Sequence, residues 1–254
     1  SFDGIGCLSD VSTQASASDD GAADGASALR ASDRWAAGAP PSPGSRLIIF
    51  DWDDTICPTT HHGQDPLCAM HDAEALSEHV KAVEELLRVA KNLGTLCIVS
   101  MADTGWIEET TKTLMPSLQG VLDELGMPVH LARVGVPTSW KREAMADGRS
   151  PSHFLKRRAM DKVLRDFGKR AGGCKDAISI GDSLAERFAL QDAVMSRGIS
   201  GHQHWNCKTV KLKDEPTLAE LTEQVRVMAR WLPTIAHHDG DINFDAEEGE
   251  LELQ

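Results

Sequence analysis

An α/β domain built on a mainly parallel sheet is what this sequence predicts, and two observations predict it. Short apolar runs of strand length alternate with longer stretches whose apolar residues recur at helical spacing. Several of the short runs stop abruptly at acidic or hydroxyl side chains, as strands do when they deliver residues to the carboxyl edge of a parallel sheet.

The elements follow in order. Leu47-Ile48-Ile49-Phe50 is a strand buried on both faces, ending at the acidic run Asp51-Trp52-Asp53-Asp54. Leu76, Val80, Val83, Leu86, Ala90 and Leu93 mark one face of a helix, and Gly94 stands where a helix terminates. Leu96 to Val99 is the second strand and ends at Ser100. A helix containing Trp106 and Leu114 follows, then a strand at 129–132 after Pro128. A helix over about 152–167 leads to the strand Ala177-Ile178-Ser179-Ile180, which ends at Gly181-Asp182. The last strand lies around 209–212 and the last helix spans about 217–231.

Both ends differ from this core. Residues 1–45 are rich in Ser, Ala, Asp and Gly and hold few large apolar groups, so they read as a flexible tail. Residues 237–254 carry seven acids after His238 and no Lys or Arg, and read as a second, acidic flexible tail. The folded domain is then expected over 46–236. A net charge of -13 opposes a nucleic-acid partner, which needs a basic face. No run approaches the length of a membrane span. The six cysteines form no CxxC pair and read as reduced thiols, which favours an intracellular, cytoplasmic location.

The polar clusters carry the chemistry. A carboxylate at the end of a strand, such as Asp51, can attack phosphorus and split one hydrolysis into two displacements. A second acid two residues on, Asp53, can protonate the leaving oxygen and then activate water. Acids gathered around a dianion call for a hard cation with oxygen ligands, and Mg2+ suits carboxylate and phosphate together, with Asp182 as a further ligand. Asp54 reads as one more surface acid.

With these residues in view, the sequence resembles the haloacid dehalogenase-like hydrolases over roughly 48–190. An apolar strand followed by DxDxT appears as Ile48-Ile49-Phe50-Asp51-Trp52-Asp53-Asp54-Thr55. A strand ending in Ser or Thr appears as Ile98-Val99-Ser100, and the GDxxxD pattern as Gly181-Asp182-Ser183-Leu184-Ala185-Glu186, with Glu at the last acid. The resemblance implies a Rossmann-like three-layer sandwich and a Mg2+-dependent phosphatase. It implies Asp51 as nucleophile and metal ligand, and Asp53 as general acid/base with its carbonyl on the metal. Ser100 would bond the phosphoryl oxygens, Asp182 would ligate the metal, and Glu186 would stand beside it or reach it through water. Asp at 53 is the phosphatase and phosphomutase pattern. The family's third motif is a lysine, assigned here to Lys156, with Lys141 as the alternative because Trp140-Lys141 and Gly105-Trp106 resemble protist members; Lys162 also precedes the last motif.

The gaps between motifs are short, which implies little or no cap and an open site for a phosphorylated protein or other bulky phosphoester. His61-His62 and His202-Gln203-His204 lack further ligands at zinc spacing. Trp106, Trp140, Trp205 and Trp231 read as core or surface-anchoring residues. A second reading of the chain is a non-catalytic scaffold of this fold whose two tails bind partners.

Overall fold

The chain places β1 (Arg46–Phe50) third in a seven-stranded sheet of order β3-β2-β1-β4-β5-β6-β7. A computed structural model describes residues 45–64, 73–171, 174–199, 205–247 and 250–253. The tail expected over 1–45 lies outside them, save for Ser45. Strands β2 (Thr95–Ser100), β3 (Val129–Leu131), β4 (Asp176–Gly181), β5 (Asn206–Lys211) and β6 (Ile242–Asp245) run parallel to β1, and β7 (Glu250–Leu253) closes the edge antiparallel to β6.

Two layers of helix cover the sheet, giving the three-layer α/β sandwich. Alternation along β1 sends Ile48 and Phe50 to one face and Leu47 and Ile49 to the other. The first face packs α2 (Ala73–Leu93), α3 (Trp106–Leu114), α4 (Leu118–Leu125) and α8 (Leu218–His237). The second packs α6 (Pro151–Ala171) and α7 (Leu184–Ile199). Because β1 is buried on both faces, its sequence after Arg46 is unbroken apolar residues rather than an alternating pattern.

The chain winds outward from β1 to β3, crosses back to β4, and winds outward again. That reversal makes β1/β4 the switch point, where parallel sheets open a crevice beyond the strand ends. Between β1 and β2 the described residues form α1 (Thr59–Gln64) and α2, and between β3 and β4 they form α5 (Trp140–Asp147) and α6. The sequence reading had neither α1 nor α5.

The expected acidic tail over 237–254 is a correction. Helix α8 runs to His237, β6 extends the sheet with Ile242 buried, and β6 pairs with β7. Several acids that looked solvated have partners. Asp241 accepts from the Cys207 amide at 2.7 Å, Arg187 holds Asp245 at 2.9 Å, and Lys211 holds Glu247 at 2.5 Å. The cations that neutralise the segment lie in α7 and β5, so reading it alone exaggerates its charge. The domain therefore continues past 236.

Among the described residues no helix is long and apolar enough to cross a membrane. Cys57, Cys97, Cys174 and Cys207 are free and buried, and burial pushes the Cys97, Cys174 and Cys207 thiols up to about 12. They pack as small apolar side chains.

Candidate active site

Three strand ends converge at the switch point. Asp51 follows β1, Ser100 closes β2 and Asp182 follows β4. Parallel pairing of β1 with both β2 and β4 keeps their carboxyl ends level, and the Asp51 amide extends the ladder to the Ile180 carbonyl at 2.9 Å.

Asp51 is buried, and its two oxygens differ. Oδ2 lies 2.8 Å from Lys156 Nζ, whereas Oδ1 has no hydrogen-bond partner. Lys156 comes from the first turns of α6 and also donates to Glu186 Oε1. Glu186 is held in turn by the Ser183 amide at 3.0 Å and by the Ser183 hydroxyl, both on Oε2. Its side chain lies against Gly181, where an added Cβ would meet Glu186 Cγ at 2.5 Å. Glycine at 181 is the condition for tucking this carboxylate under the sheet edge.

Ligand oxygens of Asp51, Asp182 and Glu186 all lie within 4.8 Å of one another. Burial, with the charge of Asp51 added, pushes the Asp182 carboxyl up to about 7, against the opposing pull of Lys156. One buried ammonium among three carboxylates leaves excess negative charge. With the unpartnered Asp51 Oδ1, that is a donor set suited to a hard divalent cation. Thr55, last residue of the DxDxT pattern, points its hydroxyl at Asp182 Oδ1 from 3.5 Å.

Asp53 sits apart from this cluster. Its Oδ1 accepts the indole N–H of Trp106 at 2.8 Å, and its Oδ2 faces the Ser100 hydroxyl at 3.4 Å. Burial raises its pKa; the Trp106 bond lowers it and the neighbouring Asp51 and Asp54 raise it further. Ser100 is fully buried, and its Oγ takes the Ala102 amide at 2.9 Å. Asp54 is no surface acid: it is buried, holds a φ of 50°, and accepts from the Thr60 amide at 2.9 Å and the Thr59 hydroxyl at 3.2 Å, capping α1.

Of the candidate lysines, Lys156 touches Asp51 and Lys141 does not. Lys141 is exposed beside Trp140, its ammonium 5.7 Å from that ring's centroid. Both line, with Met101, Arg133 and Leu155, a cavity of about 610 Å³ that abuts the site through the neighbours of Ser100 and Lys156. Trp106 was missed as a site residue, since nothing in its own sequence neighbourhood points to Asp53; Trp205 is buried against Phe167 as an anchoring residue should be. The side chains of His62, His202 and His204 lie outside the described residues. Comparison with known protein families, curated proteins and solved structures finds no match to this chain.

Proposed function

We propose that the chain is a haloacid dehalogenase-like, Mg2+-dependent phosphohydrolase that cleaves phosphate monoesters through an aspartyl-phosphate on Asp51. The observation that carries this reading is the divided environment of Asp51: one oxygen is pinned by Lys156 and the other is left without a partner beside Asp182. Asp51, Asp182 and the carbonyl of Asp53 would hold the ion, with Glu186 alongside. A bound Mg2+ would supply charge neutralisation for the acids and the phosphoryl group.

In the proposed reaction an oxygen of Asp51 attacks phosphorus and the bond to the leaving oxygen breaks. That oxygen departs with the electron pair and takes the proton of Asp53, whose raised pKa suits it to hold one. Water then attacks phosphorus and gives its proton to Asp53, and the Asp51–phosphorus bond breaks to restore the carboxylate. Net, ester and water become alcohol and phosphate. Lys156 stabilises the charge that builds on the phosphoryl oxygens, and Ser100 donates to one of them.

The described residues around the site add only short helices, which favours a bulky substrate such as a phosphorylated protein. Four buried free thiols favour a reducing, intracellular setting. The alternative of a scaffold working through two tails loses one of them, because 242–245 is a strand. Phosphate release from a panel of monoesters, with and without Mg2+, tests the proposal. Turnover should require the ion and vanish in Asp51→Asn; full turnover in that variant would refute it.

A further inference from the structure

We infer that Trp106 is the positioning residue for the general acid, its indole N–H fixing the orientation of the Asp53 carboxyl group toward the leaving group. The inference rests on the phosphoryl-transfer reading above. An indole N–H only donates, so Asp53 Oδ1, which takes it at 2.8 Å, must present a lone pair. Asp53 Oδ2 accepts from the Ser100 hydroxyl at the longer distance of 3.4 Å, so the indole is the firmer of the two holds on this carboxyl group.

Trp106 is itself held by a reciprocal tie. Trp52, the fully buried residue between the two acids, donates its indole N–H to Thr110 Oγ1 at 3.0 Å. That hydroxyl donates to the Trp106 carbonyl at 2.8 Å. One indole thus runs from the acidic loop to α3 and another from α3 to the loop, so loop and helix are registered at two points. Trp106 stays 40% exposed, an odd position for a large apolar ring whose only task is packing. Its helix starts at Gly105 with φ 89° and no side-chain cap, which leaves the indole to hold the first turn against the loop.

In the first displacement Asp53 protonates the departing oxygen as the phosphorus–oxygen bond breaks. In the second, Asp53 takes a proton from the attacking water. Without the indole, Asp53 turns among rotamers and the proton is misaligned. The demand for it depends on the leaving group: an alkoxide needs protonation, a nitrophenolate hardly does.

The test compares Trp106→Phe with the wild-type chain on glycerol phosphate and on dinitrophenyl phosphate, in Mg2+. The loss in kcat should be at least about tenfold larger on the alkyl ester, with KM on each ester little changed, since general acids contribute about 10²–10⁴-fold. Trp106→Gln, which keeps a side-chain N–H donor, should recover part of the alkyl-ester rate and covers the case of a poorly folding Phe variant. Equal losses on both esters, or no recovery by Gln, would overturn the inference and leave the phosphohydrolase reading standing. Turnover surviving in Asp51→Asn, or absent on both esters in the wild type, would instead remove the reading beneath it.

Discussion

Lys156 Nζ stands 2.8 Å from Asp51 Oδ2 although Asp51 follows β1 and Lys156 lies in α6, on the crossover from β3 to β4. The ammonium is almost wholly buried and is shared with Glu186, so it is the counter-charge that lets three acids occupy one pocket. Lys156→Met removes it and leaves the acids to repel one another. Turnover should fall by about 10²–10³-fold, the scale of losing one preorganised charge donor. Steady-state kinetics with a saturating aryl phosphate, alongside a denaturation curve, would show it; a variant with normal kcat would contradict the role.

A second buried ionic group lies at the opposite, amino-terminal end of the same strands. Asp176 takes Arg46 Nε at 3.2 Å, Lys208 Nζ at 2.8 Å and Asn206 Nδ2 at 3.0 Å. Burial pushes the Lys208 ammonium down, and Asp176 opposes that shift. Asp176→Ala strands two buried cations and should cost about 3–5 kcal/mol. Urea unfolding measures the loss, while kcat per folded molecule should not move.

His79 gives stability an acid-sensitive component. It is fully buried, with Nε2 2.9 Å from the Ile56 carbonyl and Nδ1 3.1 Å from Thr222 Oγ1. A carbonyl only accepts, so Nε2 carries the proton of the neutral ring. Burial lowers the pKa below its ordinary 6.5, with the Ile56 carbonyl opposing. The unfolded chain therefore binds the proton first as pH falls. The His79 contribution is complete above about 6.5 and declines below it until the folded ring also protonates, by up to about 1.4 kcal/mol per pH unit. Urea midpoints taken between about pH 7 and pH 5 should fall less steeply in His79→Gln than in the wild type.

The C-terminal strands should prove indispensable. Ending the chain after His238 uncovers the edge of β5 and removes Asp245 from Arg187, which is nearly buried beside Glu186 in α7. Loss of at least about 3 kcal/mol is expected from the broken pair. An open parallel edge also invites self-association. Size-exclusion and urea unfolding of the truncated chain would reveal both; a monomer of unchanged stability would show that β6 is an ornament.

Sequence alone was sufficient for the strands that carry the site, because a run like Leu47–Phe50 ending at Asp51 has one physical reading in a parallel sheet. The acids after strands also put Asp51 and Asp182 on one sheet edge, while Glu186 and Lys156 entered only through the family resemblance. Strand β6 escaped notice because acids dominate 239–252 and their partners, Arg187 and Lys211, lie elsewhere in the chain. Lys208 and Lys211 blurred β5 in the same way: both are buried, and the Asp176 and Glu247 carboxylates beside them come from distant positions. Asp54 was taken for a surface acid because a cap for a six-residue helix leaves no periodic signal. Trp106 escaped because a hydrogen bond between a helix start and a loop is a tertiary fact.

The central claim is that Asp51 itself accepts the phosphoryl group. Acid quenching of the chain during turnover of an aryl phosphate with Mg2+, followed by peptide mass spectrometry, tests it directly. A phosphoryl group on the peptide bearing Asp51, absent from Asp51→Asn, is the result the account predicts. Steady turnover with that peptide unmodified and another residue carrying the phosphate would contradict it.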